Sequence, residues 1–338
     1  MMKGGNNYIA TWFYKENKDE ASFYPQGGGR GDSPLLHSIY MQIQVPFFAT
    51  FRHFNPDAVL MFFTNIDAAE LPPYLHDAFK VLDVRVVKLP YTCRPPKGWH
   101  DAWQNQFYIY DILKYMETAM YDDDCLLVCD ADCICRSSLK SFFDGVRTKG
   151  SALYELHRKQ EQLINGTTLA KMAQIYDDMY GKAPEQPLYY YGGEFFALRK
   201  DMVEAVNSAF PPLWKHNIEQ VGDDKPKLCE EAHVLSMLAE FLGIRNADAN
   251  KVVKRMWTNP GFRSVVPEDV NLAVWHLPYE KKRGLYYMFQ WLMKNGFRIN
   301  DETEYQNLIK FYNGIPVRSW KKMIYDRFTT LKRKIAGK

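Results

Sequence analysis

Short strand-like runs alternate with helix-like stretches along the N-terminal part of the chain, and this alternation constrains the fold more than any other feature. Four short apolar, β-branched or aromatic runs predict strands: Ile9–Tyr14, Ala58–Thr64, Val84–Leu89 and Cys125–Cys129. Longer stretches between them predict helices: Leu35–His53 (despite Pro46), Pro73–Leu82 and Ala102–Met120. Because strands separated by helices form βαβ units, we predict an α/β fold with a mixed, mostly parallel sheet flanked by helices.

Charge is distributed unevenly along the chain. The 338 residues carry a net charge of +3, and their 25% charged and 46% hydrophobic content is ordinary for a soluble globular protein. Between Val317 and Lys338, eight Lys/Arg against one Asp give +7, which leaves the rest of the chain at about −4. A body with this charge is not expected to bind nucleic acid.

The basic C-terminal segment has the pattern of an amphipathic helix. Apolar residues recur there at helical spacing, with Lys and Arg between them: Trp320, Met323, Ile324, Phe328, Leu331 and Ile335. The pattern is typical of a helix that lies on an anionic membrane surface, which predicts peripheral membrane contact through 317–338. A terminal helix that packs on its own domain and exposes a basic face has the same pattern, so both interpretations stay open.

The sequence predicts a cytoplasmic protein, held at the inner face of the membrane if the tail binds it. No N-terminal apolar stretch resembles a signal peptide, and no apolar run is long enough to span a bilayer. Unpaired thiols are typical of a reducing compartment. Four of the six cysteines lie close together, in a spacing that matches no paired zinc motif: Cys125, Cys129, Cys133 and Cys135.

Two aspartates, one residue apart, follow the fourth predicted strand. Asp130 and Asp132 close the run LLVCDAD, at the end of a strand where ligands of open α/β sheets gather. In an extended chain, residues i and i+2 point the same way, so both carboxylates can face one Mg²⁺ or Mn²⁺ ion. The other Asp-x-Asp, within Asp122–Asp124, precedes the strand and is therefore expected at the opposite end of the sheet. The glycine-rich run YPQGGGRGDSP (Tyr24–Pro34) lacks the P-loop pattern and predicts a flexible loop.

Three motifs, in chain order, resemble those of GT-A glycosyltransferases. LLVCDAD resembles the Asp-x-Asp motif that binds the diphosphate of a nucleotide sugar through a divalent metal. YYYGGEFFAL (Tyr189–Leu198) and CEEAHVLSML (Cys229–Leu238) resemble segments of the blood-group-type retaining galactosyl and N-acetylgalactosaminyl transferases. The resemblance implies a GT-A (Rossmann-like) fold, a UDP-sugar donor and retention of configuration. It also implies that Glu231 is the catalytic carboxylate, with Glu230 and His233 beside it as substrate-binding residues.

A fourth stretch, WHLPYEKKRG, is similar to the His-Lys motif of retaining transferases of the glycogenin and lipopolysaccharide type. In those enzymes the histidine completes the metal site and the lysine holds the diphosphate. The resemblance adds His276 to the metal site and matches Lys282 to the lysine that holds the diphosphate, and the adjacent Lys281 is a second candidate for that role. Such groups stabilise the negative charge that develops as a nucleoside diphosphate leaves.

The remaining candidates surround the sugar and the base. Gly192 and Gly193 are expected to let the backbone approach a sugar closely, with Tyr191 and Glu194 as partners of its hydroxyl groups. An oxocarbenium-like sugar needs a carboxylate on its face, and we expect Glu231 there as a nucleophile or an electrostatic stabiliser. Aromatic stacking is expected near the end of the first strand, so the predicted base and ribose site comprises Thr11, Trp12, Phe13, Tyr14, Tyr108 and Asp111.

The sequence thus predicts a metal-dependent transferase that moves a hexose (galactose, N-acetylgalactosamine or glucose) from a UDP-sugar to a glycan or glycolipid acceptor. We predict a catalytic domain over 1–290, divided into a nucleotide-sugar half of about 1–135 and an acceptor half of about 136–290, and a helical extension over 291–338. Three alternatives stay open: a sugar-nucleotide nucleotidyltransferase, a metal-dependent phosphatase of the haloacid type, and a non-catalytic sugar-binding module. The glycine-rich run fits the first poorly, and the late position of the Asp-x-Asp argues against the second.

Overall fold

The computed structural model describes residues 5–219 and 225–336, and in the last helix it describes side chains up to Phe328. The strands are β1 (Asn7–Phe13), β2 (Phe23–Tyr24), β3 (Gly29–Arg30), β4 (Val59–Thr64), β5 (Val84–Lys88), β6 (Cys125–Cys129), β7 (Cys133–Cys135), β8 (Ser151–Glu155), β9 (Tyr191–Arg199), β10 (Val253–Arg255), β11 (Thr258–Asn259), β12 (Phe262–Arg263) and β13 (Val274–His276). The helices are α1 (Pro34–Phe54), α2 (Pro73–Val81), α3 (Tyr108–Ala119), α4 (Lys140–Lys149), α5 (Leu169–Tyr180), α6 (Lys200–Glu219), α7 (Glu231–Phe241), α8 (Gly284–Lys294), α9 (Glu302–Asn313) and α10 (Trp320–Ala336).

A six-stranded sheet in the order β5-β4-β1-β6-β9-β8 forms the centre of the molecule. Strands β5, β4, β1 and β6 run parallel, and β9 is antiparallel to both β6 and β8. A second sheet, in the order β10-β13-β7, begins four residues after β6 ends and brings the C-terminal part of the chain back to that point. The predicted α/β fold, with its mixed and mostly parallel sheet, is confirmed.

Side chains of the central strands alternate between two hydrophobic cores, one on each face of the sheet. In β1, Ile9 and Phe13 point into a core shared with α1, α2, α4, α8 and α9, whereas Tyr8 and Ala10 point into a core shared with α3, α5, α6 and α7. This alternation follows from the two-residue period of a strand, and it explains why these strands are apolar at nearly every position. All six cysteines carry free thiols.

The predicted strand positions agree with the structure to within one or two residues, but one helix differs. The helix predicted over Ala102–Met120 begins at Tyr108 instead. The preceding residues pair with β2, because Phe23 donates its backbone N–H to Asp101 and accepts one from Trp103. Trp103 also adopts a positive φ of 48°, which a helix does not allow.

The glycine-rich run folds as a short hairpin and not only as a loop. Strands β2 and β3 pair within it in antiparallel fashion, and Gly28 adopts a positive φ of 67° in the turn between them. Glycine tolerates this conformation without steric cost, which gives the glycine-rich composition a local structural reason.

The C-terminal helices continue the main core before the basic tail begins. Tyr305 and Ile309 of α9 are fully buried, and the Tyr305 hydroxyl donates to the backbone carbonyl of Cys135 at the end of β7. The tail forms α10, as its periodicity predicts. Among the described residues, no helix combines the length and the apolar character needed to cross a membrane.

Candidate functional site

The two aspartates and His276 are brought together by the pairing of β7 with β13. Asp130 and Asp132 lie in the turn between β6 and β7, and His276 is the partner of Cys133 in the antiparallel ladder. Backbone hydrogen bonds fix the turn, because Asp130 donates its N–H to the carbonyl of Glu194 and the carbonyl of Asp132 accepts from Leu277, each at 3.0 Å. Strand pairing thus joins residues that are more than 140 positions apart in sequence.

These three side chains form a candidate metal centre. One ligand atom from each of Asp130, Asp132 and His276 lies within 4.8 Å of the other two. His276 Nε2 is 3.3 Å from Asp132 Oδ1 and 3.6 Å from Asp130 Oδ2. Asp132 Oδ1 and His276 Nε2 are both buried and make no hydrogen bond. Since buried polar atoms are normally satisfied, this donor set of two carboxylates and an imidazole fits a divalent cation.

Lys281 sets the charge state at the buried side of this centre. Its ammonium group donates to Asp132 Oδ2, and both side chains are almost fully buried. Burial opposes ionisation of Asp132, but Lys281 and His276 outweigh it and hold the pKa of this carboxyl below its usual range. Asp130 opens towards the cavity, and there burial and the neighbouring Asp132 raise its pKa to about 6. The pair is thus one firmly ionised carboxylate beside one that retains a proton more readily.

The candidate metal centre opens into a cavity of about 730 Å³. Its wall includes groups from the glycine-rich hairpin, the first strand, the Asp130 turn, the start of α7 and the segment after β13. Among the residues that line the cavity are Trp12, Phe13, Asp130, Asp132, Gly193, Glu194, Glu230, Glu231, Arg255, His276, Lys281 and Lys282. The volume is in the range of pockets that hold a small organic ligand.

Glu231 enters this cavity as the first residue of α7. Its Oε2 is buried and makes no hydrogen bond. Burial, followed by the negative charges of Glu230, Asp130 and Glu194, raises the pKa of Glu231 well above its usual value. A carboxyl group with this combination of burial, like charges and an unsatisfied oxygen is typical of a functional site.

Glu230 and His233 fix the entry into α7. The two carboxylate oxygens of Glu230 accept from the Tyr190 hydroxyl and from the Asn165 amide. His233 Nδ1 accepts from the backbone N–H groups of Cys229 and Glu230, so the proton lies on Nε2, which donates to the carbonyl of Ile164 at 3.1 Å. Burial lowers the pKa of His233 and keeps the ring neutral. His233 therefore supports Glu230 from behind and does not reach the cavity, where it was predicted to bind substrate.

Gly192 and Gly193 lie against two carboxylates. A Cβ at Gly193 would lie 2.4 Å from Glu231 Oε1, and a Cβ at Gly192 would lie 2.1 Å from Glu194 Oε2. Both distances are far below van der Waals contact, so neither position accepts a side chain without displacing a carboxylate. The close approach expected between these glycines and a sugar is, in this structure, an approach between the glycines and two glutamates.

Arg255 is a site residue that the sequence reasoning did not identify. Its Nε donates to Glu194 Oε1 at 2.6 Å, and its guanidinium also forms an ion pair with that oxygen. Glu194, predicted to bind sugar hydroxyls, is thus engaged by an arginine, and His276 Nδ1 lies 3.8 Å from the same oxygen. No motif marks Arg255, because it is an isolated arginine in β10 that reaches the cavity through the pairing of β10 with β13.

The predicted base and ribose residues divide into two groups. Trp12 and Phe13 line the cavity, whereas the cavity lining does not include Thr11, Tyr14, Tyr108 or Asp111. The carboxylate of Asp111 accepts the N–H and the hydroxyl of Thr92, and the Tyr108 hydroxyl donates to the carbonyl of Leu89. Tyr191 is also absent from the lining, because its side chain is buried in the core behind β9. These residues support the fold around the cavity and do not form its surface.

Comparisons with known proteins establish the fold. No protein-family model matches the chain, and no curated protein matches it significantly. An active-site mutant of the galactosyltransferase LgtC aligns over 88% of this chain and 99% of its own, with a TM-score of 0.50 and 14% identity. LgtC in complex with donor and acceptor sugar analogues aligns over the same shares at 14% identity, with a TM-score of 0.48. Mouse xyloside xylosyltransferase 1 aligns over 80% of this chain and 97% of its own, with a TM-score of 0.43 and 12% identity.

At sequence identities this low, structural similarity shows the fold but not the reaction. Together with the sheet order and the helices on both faces, the likeness at a TM-score of 0.50 confirms the predicted GT-A fold.

Proposed function

We propose that the protein is a metal-dependent glycosyltransferase that moves a hexose from a UDP-sugar to a glycan or glycolipid acceptor, with retention of configuration, in cell-surface polysaccharide synthesis. The observation that carries this proposal is the layout of a single cavity. One side holds a three-ligand cation site with lysines next to it, and the other side holds the buried carboxylate of Glu231. A leaving diphosphate needs positive groups to stabilise its charge, and a positively charged sugar needs a carboxylate beside it. The cavity brings both kinds of group together.

We assign the diphosphate to the side of the cavity that contains Asp130, Asp132 and His276. A Mn²⁺ or Mg²⁺ ion held by these residues would neutralise the charge that develops on the diphosphate as it leaves. Lys282 also lines the cavity. Its Nζ lies 2.9 Å from the point that a Cβ atom would occupy at Gly28, so the lysine reaches the glycine-rich hairpin. Lys281 is held by Asp132, which keeps its positive charge beside the phosphates.

We assign the sugar to the space between the metal centre and Glu231. An ionised Glu231 would stabilise positive charge at the anomeric carbon, either directly as a nucleophile or through its field. Glu194 and Arg255 provide a fixed pair of acceptor and donor groups at the same wall, and Trp12 and Phe13 offer aromatic surface for the base. The identity of the hexose, whether galactose, N-acetylgalactosamine or glucose, belongs to the proposal and follows from the sequence resemblance.

We also propose that α10 contacts an anionic membrane, where a glycolipid acceptor would be found. Four apolar side chains on one side of this helix are 42–64% exposed: Trp320, Met323, Ile324 and Phe328. Lys and Arg residues flank them, which is the arrangement of an interfacial helix. Leu331 and Ile335, which extend the predicted stripe, lie outside the residues whose side chains are described. Under this proposal 1–290 is the catalytic part, and 291–338 is the extension that attaches it to the membrane.

Release of UDP from a panel of UDP-hexoses tests the proposed function. We expect Mn²⁺-dependent release of UDP from at least one UDP-hexose, faster with a glycan acceptor and without formation of UTP from pyrophosphate. NMR of the product then reports retention of the anomeric configuration. Nucleotide formation from pyrophosphate and a UDP-sugar would favour the nucleotidyltransferase alternative, and release of inorganic phosphate from phosphomonoesters would favour the phosphatase. Binding without turnover of any UDP-sugar would favour the sugar-binding module.

A further inference from the structure

The lysine-bearing segment of the cavity wall is held from behind by a buried charge network. Glu280 ends a short 3-10 helix, Pro278–Glu280, and directly precedes Lys281 and Lys282. Its side chain is only 1% exposed. One oxygen accepts the Thr258 hydroxyl, and the other accepts the N–H of Gly284 at 2.9 Å. The carboxylate of Glu280 thus ties both ends of the segment 280–284 together.

The positive charge that balances Glu280 comes from the C-terminal helix. Lys322 Nζ donates to Glu280 Oε2 at 2.7 Å and to Asp326 Oδ1 at 2.7 Å, and its side chain is 1% exposed. Asp326 in turn accepts from Arg318 at 2.6 Å. The network therefore links α10 to the residues that precede the two cavity lysines, across about 40 positions of sequence.

The helix α10 has two unlike sides as a result. Lys322 and Asp326, one turn apart, face the domain and are buried, while Trp320, Ile324 and Phe328 lie on the opposite side and are exposed. A helix that served only as a detachable anchor would have no need to bury an ammonium group against the cavity wall. Burying such a charge is unfavourable unless it is paired and hydrogen-bonded. The hydrogen bonds of Lys322 to Glu280 and Asp326 therefore favour this position of the helix.

We propose that Lys322 is a positioning residue for the donor diphosphate. By neutralising Glu280, it holds the backbone that presents Lys281 and Lys282 to the cavity, although Lys322 itself does not line that cavity. This inference rests on the proposed function, since it takes the ligand beside these lysines to be the diphosphate of a nucleotide sugar. It makes the tail helix a part of the donor site and not only a means of attachment.

Loss of Lys322 removes the cation that is hydrogen-bonded to both Glu280 and Asp326, and of these two carboxylates only Asp326 keeps an ion pair within the described part of the chain, with Arg318. The two carboxylates then repel each other, and Glu280 must either take up a proton or draw in water, which loosens the segment that follows it. The expected consequence is selective. Binding of a β-phosphate weakens, because it depends on where Lys281 and Lys282 lie, whereas binding of the nucleoside with its first phosphate changes little.

The affinities of UDP and UMP, measured by calorimetry in the presence of Mn²⁺ on the full chain, test this inference. We expect Lys322→Met to weaken UDP about 10-fold or more, as for loss of a charged hydrogen bond, and to change UMP by less than about 3-fold. Lys321→Met is the matched control, because Lys321 is the exposed neighbour on the same helix, and it should leave the ratio of the two affinities unchanged. Lys322→Arg, which retains the charge, should restore most of the wild-type ratio of UDP affinity to UMP affinity.

A second variant keeps the test decisive if Lys322→Met folds poorly. Glu280→Gln combined with Lys322→Met removes both charges, and the amide side chain introduced in place of Glu280 retains an oxygen that can accept from Gly284. We expect this double variant to regain thermal stability and most of the UDP/UMP ratio. An unchanged ratio in Lys322→Met, or a low ratio in a stably folded double variant, would overturn the role of Lys322. Failure of the wild-type protein to bind UDP at all would instead overturn the proposed function, and with it this inference.

Discussion

Two acidic clusters lie at the two ends of β6, and they are held in opposite ways. At the amino end, Asp124 is buried and its carboxylate accepts the backbone N–H groups of Asn6 and Tyr121, so its charge is used by the fold. At the carboxyl end, Asp132 Oδ1 is equally buried but makes no hydrogen bond. The same Asp-x-Asp composition is thus structural at one end and available to a ligand at the other.

The difference follows from strand polarity. The amino end of β6 lies beside the start of β1, and there Asp124 accepts the backbone N–H of Asn6, the residue before β1. The carboxyl end lies beside the β7–β13 pair, which contributes His276, and Asp132 Oδ1 accepts no hydrogen bond there. Both clusters contain a buried aspartate, so burial does not distinguish them. They differ in hydrogen bonding, because both carboxylate oxygens of Asp124 accept a backbone N–H whereas Asp132 Oδ1 accepts none.

Alanine substitutions at the two ends of β6 should have different consequences for activity and stability. Asp130→Ala should abolish transfer while leaving the melting temperature near that of wild type, because this carboxylate faces the cavity and holds a cation. Asp132→Ala should also abolish transfer, but it should lower the melting temperature, because it leaves the buried Lys281 without its carboxylate partner. Asp124→Ala should do the reverse of Asp130→Ala. It leaves two backbone N–H groups without an acceptor, which costs about 1–3 kcal/mol of stability, while the folded protein stays active.

Activity per folded protein, with the melting temperature read in parallel by circular dichroism, checks this prediction. Loss of activity in Asp124→Ala without loss of stability would contradict the assignment of roles, as would full activity in Asp132→Ala.

Glu231→Gln tests whether an unsatisfied carboxylate on the opposite wall carries the chemistry. The substitution removes, with little change of shape, the negative charge that Glu231 would carry once a bound cation offsets the neighbouring carboxylates. Donor binding should therefore survive while kcat falls by roughly 10²–10³-fold, as for loss of one transition-state interaction. Steady-state kinetics with the best UDP-sugar separates kcat from KM. Wild-type turnover in this variant would place the catalytic carboxylate elsewhere, with Glu230 and Glu194 as the next residues to test.

Trp12→Ala should give a smaller effect confined to donor binding. Trp12 lines the cavity at the end of β1, and stacking of a base on an aromatic side chain is worth about 1–3 kcal/mol. We expect KM for the donor to rise about 10-fold with little change in kcat. Tyr108→Phe is the matched control, because Tyr108 lies behind the cavity surface, and an equal rise in KM there would contradict the division of the aromatic residues.

The pH dependence of stability tests whether Glu231 keeps its proton in the folded protein. The pKa of Glu231 is raised in the folded protein, mainly by burial and then by Glu230, Asp130 and Glu194, so the folded state binds its proton more tightly than the unfolded state. Its contribution is therefore full below the unfolded pKa of 4.5 and is lost as pH rises towards the folded pKa.

Glu231→Gln lacks this titration. In metal-free buffer, the melting temperature of the variant minus that of wild type should increase by about 2 °C or more from pH 5 to pH 8. A constant difference across that range would show that Glu231 does not retain its proton in the folded protein.

Most of the fold could be predicted from the sequence, because the central strands are short, apolar and well separated by helical periodicity. The start of α3 could not be predicted, since residues 101–103 pair with Phe23, and periodicity carries no information about such a distant partner. The tail was predicted as a helix, but its buried polar side was not. Lys322 and Asp326 look like solvated charges in the sequence, but in the structure both are buried, where Lys322 donates to Glu280 and to Asp326.

The candidate site was predictable where a motif marks it and not elsewhere. Asp130, Asp132 and His276 belong to recognisable motifs, and the structure brings them within ligand distance of one another. Arg255 belongs to no motif and enters the site through the pairing of β10 with β13. Conversely, Asp111 belongs to the predicted base and ribose site, but its carboxylate accepts hydrogen bonds from Thr92 instead.

The central claim is that the carboxyl end of β6 binds a divalent cation together with UDP. Calorimetric titration of UDP, with and without Mn²⁺, tests it most directly on three proteins: wild type, Asp130→Ala/Asp132→Ala, and Asp122→Ala/Asp123→Ala as the matched change at the other end of the strand. We predict that Mn²⁺ strengthens UDP binding to wild type and to the Asp122/Asp123 variant, and that the Asp130/Asp132 variant loses this dependence. UDP binding that is indifferent to Mn²⁺ in the wild-type protein, or that keeps its Mn²⁺ dependence without Asp130 and Asp132, would contradict the claim.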